Sequence, residues 1–596
     1  MAAKQISDVP APGINGTPKS IGWGSDAIVQ QLSRLNIPYM TIVPGSSFRG
    51  AHDSLVNFNE NRNPQMLISL HEEHAIAIAH GYAKVTGKPL AVGIHANVGL
   101  MHASMAIYNA FCDRVPMLIL GATGPLDAMK RRPWIDWIHT AIDQAAIIRP
   151  FIKFDDQPYG VNSAVRSLVK ATASTTLKPS APVYVCLDVS LQEGEVDPNS
   201  VSFPDTERYF NTQSPNGSIH DVSSVAKLLT TSKKPLFLLG RLNRSQQNWN
   251  ERVQLAERFH AFVMTDIKQA SPFPTKHKLH ACPPSLFNSP QGSEVIRQAE
   301  LVIGFEWVDL AGTLHAACGL DAEPSSKVVN ISLDSALHNG WSKDHFDTPP
   351  ADISITADAD KFLTALLEET KDLTPSENEW NDAKAPEPAP QNPQNDDIYM
   401  SSLAEALNAT ISPDEACLIR VPLGWRGADL NTTHPLGFLG ADGAYGIGSG
   451  PGQTVGAALA LKDTTYLPYA VLGDGDYLMS SSALWTAARY RIPLLVVVAN
   501  NGSYYNDEVH QERVAKVRSR PVENKWIGMK LDDPAPDLSL NARSLGLTVL
   551  GEQVTRRGEL KNVLMKAIQE VKSGKPVLVD VRVLPDGYSS AIEKGK

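Results

Sequence analysis

At 596 residues the chain exceeds what one hydrophobic core can organise, and a prior of roughly 100–200 residues per domain suggests about three to five units. A net charge of -10, with 42% hydrophobic and 20% charged residues, argues against the basic surface that nucleic-acid binding requires. Five scattered cysteines without a CxxC spacing exclude a disulfide framework or a zinc ribbon, and no apolar run approaches the ~20 residues of a membrane span. The N-terminal segment lacks the apolar region of a signal peptide, so a cytoplasmic protein with no nucleic-acid or membrane partner is expected.

Along the chain, short apolar runs alternate with helical patterns, which predicts an α/β protein with parallel sheets. Tyr39–Val43 reads as a buried strand ending at Pro44-Gly45, and Glu72–Val85 as a helix with Ala and Ile on its buried face. Val92–His95, Met117–Leu120 and Val183–Asp188 read as further strands. Beyond the polar stretch Ser190–Ser218, strands are expected at Pro235–Gly240, Phe262–Thr265, Leu301–Gly304 and Val328–Ser332. Lys371–Asp397, rich in Pro, Asn and acidic residues, reads as a linker. The last block holds strands at Tyr469–Leu472, Leu494–Ala499 and Val577–Val583. The expected architecture is three doubly wound domains with parallel sheets, spanning residues 1–190, 219–370 and 398–596, with 371–397 as the linker.

The most informative segment is Tyr469–Asn506. It reads as a strand, a tight turn at Gly473-Asp474-Gly475, a helix over Ser480–Tyr490, and a second strand running into Asn500-Asn501-Gly502. Ligands of parallel α/β sheets sit beyond the carboxyl ends of strands, so Asp474 and Asn501 would reach one spot. Glycines let the backbone approach a phosphate, and a helix start offers free N–H groups to it. A hard cation such as Mg²⁺ takes oxygen ligands, and an Asp carboxylate, an Asn amide and a backbone carbonyl supply them. A lone GDG is weak; GDG, helix, strand and NN in this order is a specific pattern.

Here the chain resembles the thiamine-diphosphate enzymes of the acetolactate synthase, pyruvate decarboxylase, benzoylformate decarboxylase and benzaldehyde lyase group. The resemblance implies thiamine diphosphate and Mg²⁺ as cofactors, with Asp474 and Asn501 as side-chain metal ligands and Ser503 a ligand through its carbonyl. Gly473, Gly475 and Asp476 fall in the diphosphate turn, and Asp476 departs from the Ser or Ala usual there. An extra carboxylate would repel a diphosphate unless it turned away or met a base.

Leu70–Pro89 is similar to the family's first-domain segment and places Glu72 on the glutamate that starts loss of the thiazolium C2 proton. The three domains are then pyrimidine-binding, central and diphosphate-binding. In Gly443–Gly456, Ile447 aligns with the residue over which the cofactor bends. His95 resembles the active-site histidine of benzoylformate decarboxylase; Asn97 leaves the same strand end, and His139 falls near a pocket glutamine of lyases and synthases. Trp134 and Trp137 flank that position, and the adjacent His-His pair of pyruvate decarboxylases is absent. Gly240-Arg241 after a strand leaves FAD in the central domain open.

The implied function is a carboligase or lyase acting on a 2-oxo acid, aldehyde or acyloin through a C2 carbanion. A decarboxylase of the benzoylformate type, a catalytically silent relative and an electron-transferring oxidase are the alternatives. A homodimer or homotetramer with shared active sites is implied as well.

Overall fold

The computed structural model describes residues 8, 20–286, 288–319, 322–334, 348–380, 396–441 and 443–584. Three sheets follow one another along the chain. The first contains β1 (Tyr39–Ile42), β2 (Gln65–Ile68), β3 (Ala91–Ile94), β4 (Met117–Thr123), β5 (Phe154–Asp156) and β6 (Pro182–Asp188), in the order β2-β1-β3-β4-β6-β5. The second contains β7 (Pro235–Leu239), β8 (Phe262–Thr265), β9 (Leu301–Phe305), β10 (Lys327–Ile331) and β11 (Ile353–Ile355), in the order β11-β10-β9-β7-β8. The third contains β12 (Ala416–Leu418), β13 (Leu467–Gly473), β14 (Leu494–Asn500), β15 (Thr548–Val549) and β16 (Pro576–Arg582), in the order β12-β13-β14-β16-β15. Every pairing between these strands is parallel, the α/β architecture expected from the alternating pattern.

Helices cover both faces of each sheet, because parallel strands joined by crossovers are buried on both sides. Around the first sheet one core gathers Ile28, Leu32, Leu118 and Leu168, and the other Ala75, Ala79, Val92 and Ile119. One core of the third sheet takes in Leu67 and Ile78 from the first domain, so the two domains share apolar packing. Of the linker, residues 371–380 lie along the second domain, where Trp380 stacks on Phe262 at 4.4 Å; 381–395 fall outside the described residues. Among the described residues no helix is long and apolar enough to cross a membrane.

The contact that positions the site is a crossing of the helices Glu72–Thr86 and Gly450–Leu461. Their backbones nearly touch: a Cβ on Gly81 would fall 2.0 Å from the Gln453 carbonyl oxygen, and one on Gly456 1.8 Å from that of Ile78. Backbone cannot yield as a flexible side chain does, so Gly456→Ala should force the helices apart and cost about 1–3 kcal/mol. The expected readout is a lower thermal unfolding midpoint; an unchanged one would show that the crossing tolerates a methyl group.

One expected element differs. The Gly473–Gly475 segment is not a free turn before a helix over Ser480–Tyr490. A helix starts at Asp474 and runs to Ser480, and a second spans Ala483–Tyr490. Acidic residues favour a helix start, and Asp474 and Asp476 both lie in this first turn.

Candidate active site

The register of the third sheet sets Gly473 beside Ala499, so β13 and β14 release their next residues at one edge. Asp474 follows directly and is buried. Its Oδ2 accepts the N–H groups of Gly502 at 2.6 Å and Ser503 at 3.2 Å, and its Oδ1 that of Gly475 at 2.9 Å. The Ser503 N–H is shared with Asn501 Oδ1 at 2.9 Å. Three oxygen-bearing groups thus converge on one turn. Ser503 Oγ donates to Glu508, and Asn500 donates to Asp580 at 3.2 Å, fixing the turn from behind.

Burial raises the pKa of Asp474 above the usual carboxylate value, opposed by its backbone N–H partners. A buried carboxylate of this kind is one that a cation would favour in its charged form. Around Gly473, nothing lies within 4 Å of where a Cβ would be, so the strand end is open. The donors are hard oxygens, and the residues present fit Mg²⁺ with a diphosphate.

Asp476 is also buried, but it points elsewhere. Its Oδ1 accepts the N–H of Gly448 at 2.6 Å, and its Oδ2 faces Arg420 Nε at 3.3 Å. Arg420 follows β12, the neighbour of β13, so a base meets the extra carboxylate. That satisfies the condition under which a diphosphate site tolerates it.

Glu72 opens the Glu72–Thr86 helix and is 9% exposed. Its Oε2 lies 3.1 Å from His102 Nδ1. A Cβ on Gly99 would fall 2.9 Å from Glu72 Oε1, so a larger residue there would push the Glu72 carboxylate aside. The neighbouring Glu73 faces the Gly448 turn, where a Cβ would stand 3.8 Å from its Oε1. The His71 ring stacks on His102 at 4.8 Å, and burial lowers the basicity of His71 and takes His74 down to about 4. Donor atoms of His71, Glu72 and His102 lie within 4.8 Å of one another. Imidazoles suit borderline transition metals, so the oxygen set at Asp474 is the better match for a hard cation.

His95 immediately precedes the helix Ala96–Cys112, and its Nδ1 meets Ser47 Oγ at 2.7 Å. Its ring stands edge-on to His139 at 4.9 Å, and Asn97 donates to the Ile138 carbonyl at 3.2 Å. His95, Asn97 and His139, far apart or merely near in sequence, thus form one cluster. Asn97 Oδ1 and His139 Nδ1 are buried without a hydrogen-bond partner among the described residues. Burial first, then the His139 ring, lowers the basicity of His95. Trp134 and Trp137 are exposed in the single chain. Ile447 is 40% exposed and lies on the turn leading into Gly450–Leu461.

Sequence reading missed His102, Arg420 and Asn109. His102 had a signal: it lies three residues after Gly99 on one helix face. Arg420 had none, since its place depends on which strand lies beside β13.

The central sheet reverses its direction of growth between β7 and β9, where a doubly wound sheet takes a dinucleotide. There a Cβ on Gly240 would fall 2.0 Å from the Glu306 carbonyl oxygen. Arg241 pairs with Asp334, and Arg114 from the first domain pairs with both Asp334 and Glu306. Arg241, Arg114, Asp334 and Glu306 pair with one another at this strand end, and no FAD site is indicated among the described residues.

Three family models match the chain: the thiamine pyrophosphate enzyme N-terminal TPP binding domain over residues 22–147, the central domain over 222–366 and the C-terminal TPP binding domain over 425–581. The chain is 23% identical to benzoylformate decarboxylase of Pseudomonas aeruginosa, over 86% of this chain and 91% of that one. It is 24% identical to the acetolactate synthase large subunit of Corynebacterium glutamicum, over 94% of this chain and 87% of that one. Among solved structures, the thiamine diphosphate-dependent 4-hydroxybenzoylformate decarboxylase of Rhodococcus jostii RHA1 shares the fold with a TM-score of 0.76 and 19% identity, covering 95% of this chain and 99% of that one.

Proposed function

Because the chain belongs to the thiamine pyrophosphate enzymes and is thus thiamine-diphosphate-dependent, we propose that it breaks or forms a carbon–carbon bond beside a carbonyl, as a carboligase or lyase of the acetolactate-synthase type. Its substrates on this reading are a 2-oxo acid, an aldehyde or an acyloin. The observation that carries it is the gathering of Asp474, Asn501 and Ser503 on one turn, with a buried Glu72 heading a helix in another domain. When bound, thiamine diphosphate supplies an acidic carbon whose conjugate base adds to carbonyls and stabilises the charge left when a carbon–carbon bond breaks.

Asp474 and Asn501 would hold Mg²⁺ through their side chains and Ser503 through its carbonyl, and Gly473 and Gly475 would let the diphosphate approach. Glu72 would give and take a proton at the aminopyrimidine ring nitrogen, with His102 orienting its carboxylate. Ile447 would support the bound cofactor. On the substrate side, Asn97 Oδ1 and His139 Nδ1 offer unused polar atoms beside His95. Asp476 is no obstacle to turnover, since Arg420 balances it.

Val98, Met101 and Met105 are exposed along the helix Ala96–Cys112, which supports self-association as a homodimer or homotetramer with shared sites. Domain limits at 1–190, 219–370 and 398–596, and a cytoplasmic location, belong to the same reading.

A second reading is favoured by the His95–His139 contact. A pair of imidazoles suits proton transfer on the substrate side, and so a decarboxylase of the benzoylformate type. NMR of the protein with thiamine diphosphate, Mg²⁺ and ¹³C-labelled pyruvate, with and without benzaldehyde, separates the two. Labelled acetolactate or a mixed acyloin is the expected product. Labelled acetaldehyde alone would establish the second reading, and the same test with aromatic 2-oxo acids would extend it.

A further inference from the structure

Ile447 stands between two glycines, and each is held by both its N–H and its carbonyl. On one side, the buried Asn109 of the Ala96–Cys112 helix accepts the Gly446 N–H at 3.4 Å and donates to the Gly446 carbonyl at 3.2 Å. On the other, Asp476 Oδ1 accepts the Gly448 N–H at 2.6 Å, and Ser480 Oγ, one turn along the same helix, donates to the Gly448 carbonyl. The two grips come from different domains. Gly448 has φ +105°, a conformation that L side chains rarely adopt, and a Cβ on Gly446 would fall 2.0 Å from Met105 Cε. The turn therefore has little freedom to shift, and the side chain it carries is the partly exposed Ile447.

Holding this turn by a carboxylate at 8% exposure calls for a counter-charge. Arg420 provides it at 3.3 Å, with its side chain 6% exposed. A serine or alanine after GDG could not reach out with a charged acceptor, so Asp476 and Arg420 belong together as one device. We propose that Asp476, steadied by Arg420, and Asn109 are positioning residues that clamp the 446–448 turn and so hold Ile447 at a fixed height beneath the cofactor. This rests on the reading of Ile447 as the support for the bend.

The test compares Asp476→Ala, Asp476→Asn, Ser480→Ala, Ile447→Ala and the Ile447→Ala/Asp476→Ala pair in the full chain. In the protein without cofactor, hydrogen exchange of the Gly448 amide should rise about 10- to 100-fold in Asp476→Ala, the loss of one charge-assisted hydrogen bond. Asp476→Asn keeps an acceptor and should restore part of that protection. Ser480→Ala leaves no buried charge behind and should show a smaller rise, which covers the case in which Asp476→Ala does not fold. With thiamine diphosphate and Mg²⁺ bound, C2-proton exchange should slow about 10-fold in Asp476→Ala while cofactor affinity changes by less than about 3-fold. The double variant should be no slower than Ile447→Ala, because Asp476 acts through Ile447. Unchanged Gly448 exchange, or losses that add, would overturn the clamp. If Ile447→Ala exchanges its C2 proton at the parent rate, the support reading itself falls, while Gly448 exchange still reports whether the grip exists.

Discussion

Glu72→Gln is expected to lower turnover by about 10²- to 10⁴-fold, the range of a lost general acid–base group, while leaving cofactor affinity near that of the parent protein. The variant keeps the size and most of the hydrogen bonding of the side chain. Glu72 is 9% exposed, enclosed by Gly99 on one side and His102 on the other, so water is poorly placed to take over its proton transfer. The groups that would bind metal and diphosphate lie in another domain and are untouched. Deuterium exchange at C2 of bound thiamine diphosphate, read by NMR after acid quench, separates this effect from later steps. Retention of the parent exchange rate by Glu72→Gln would move the proton-transfer role to another residue, with His102 the first to examine.

A second large effect is expected at Asp474. Its carboxylate both faces the proposed metal position and holds the Gly502 and Ser503 N–H groups, so Asp474→Ala removes one ligand and releases the turn that presents two others. Loss of a ligand together with the order of its neighbours should weaken Mg²⁺-dependent cofactor binding by about 100-fold or more. Calorimetric titration with thiamine diphosphate and Mg²⁺ measures this directly. Thermal unfolding gives an independent view: saturating cofactor at about 100 Kd should stabilise the parent by about 2.7 kcal/mol, and Asp474→Ala hardly at all under the same conditions. Parent-like affinity in Asp474→Ala would place the metal elsewhere.

These two variants probe opposite halves of the site. Glu72→Gln should bind and fail to react, whereas Asp474→Ala should fail to bind. A protein in which both lost only stability would point to structural roles for both, and the Gly456→Ala variant at the helix crossing supplies the pattern of a purely structural change for comparison.

The sequence by itself determined the fold class and the central strands of all three sheets. β4, β6, β9, β13, β14 and β16 are buried on both faces and therefore read as continuous apolar runs. Five short edge strands escaped: β2, β5, β11, β12 and β15. Four of them are partly exposed and too short to show a period, and their existence depends on a neighbour to pair with. The same division runs through the site. The placement of Glu72, Asp474 and Asn501 was legible because local chain order carries it: a strand end, a glycine, a helix start.

What only the tertiary structure decided are the relations between distant segments. Strand order put Arg420 beside Asp476, turning an apparent misfit in the diphosphate turn into a paired charge. Helix packing brought Asn109 onto Gly446 and His102 onto Glu72, and a loop folded His139 against His95. The reason is physical: a side chain's type and its local period can be read along the chain, but a partner across a sheet or a helix crossing is selected by packing, which no local pattern encodes.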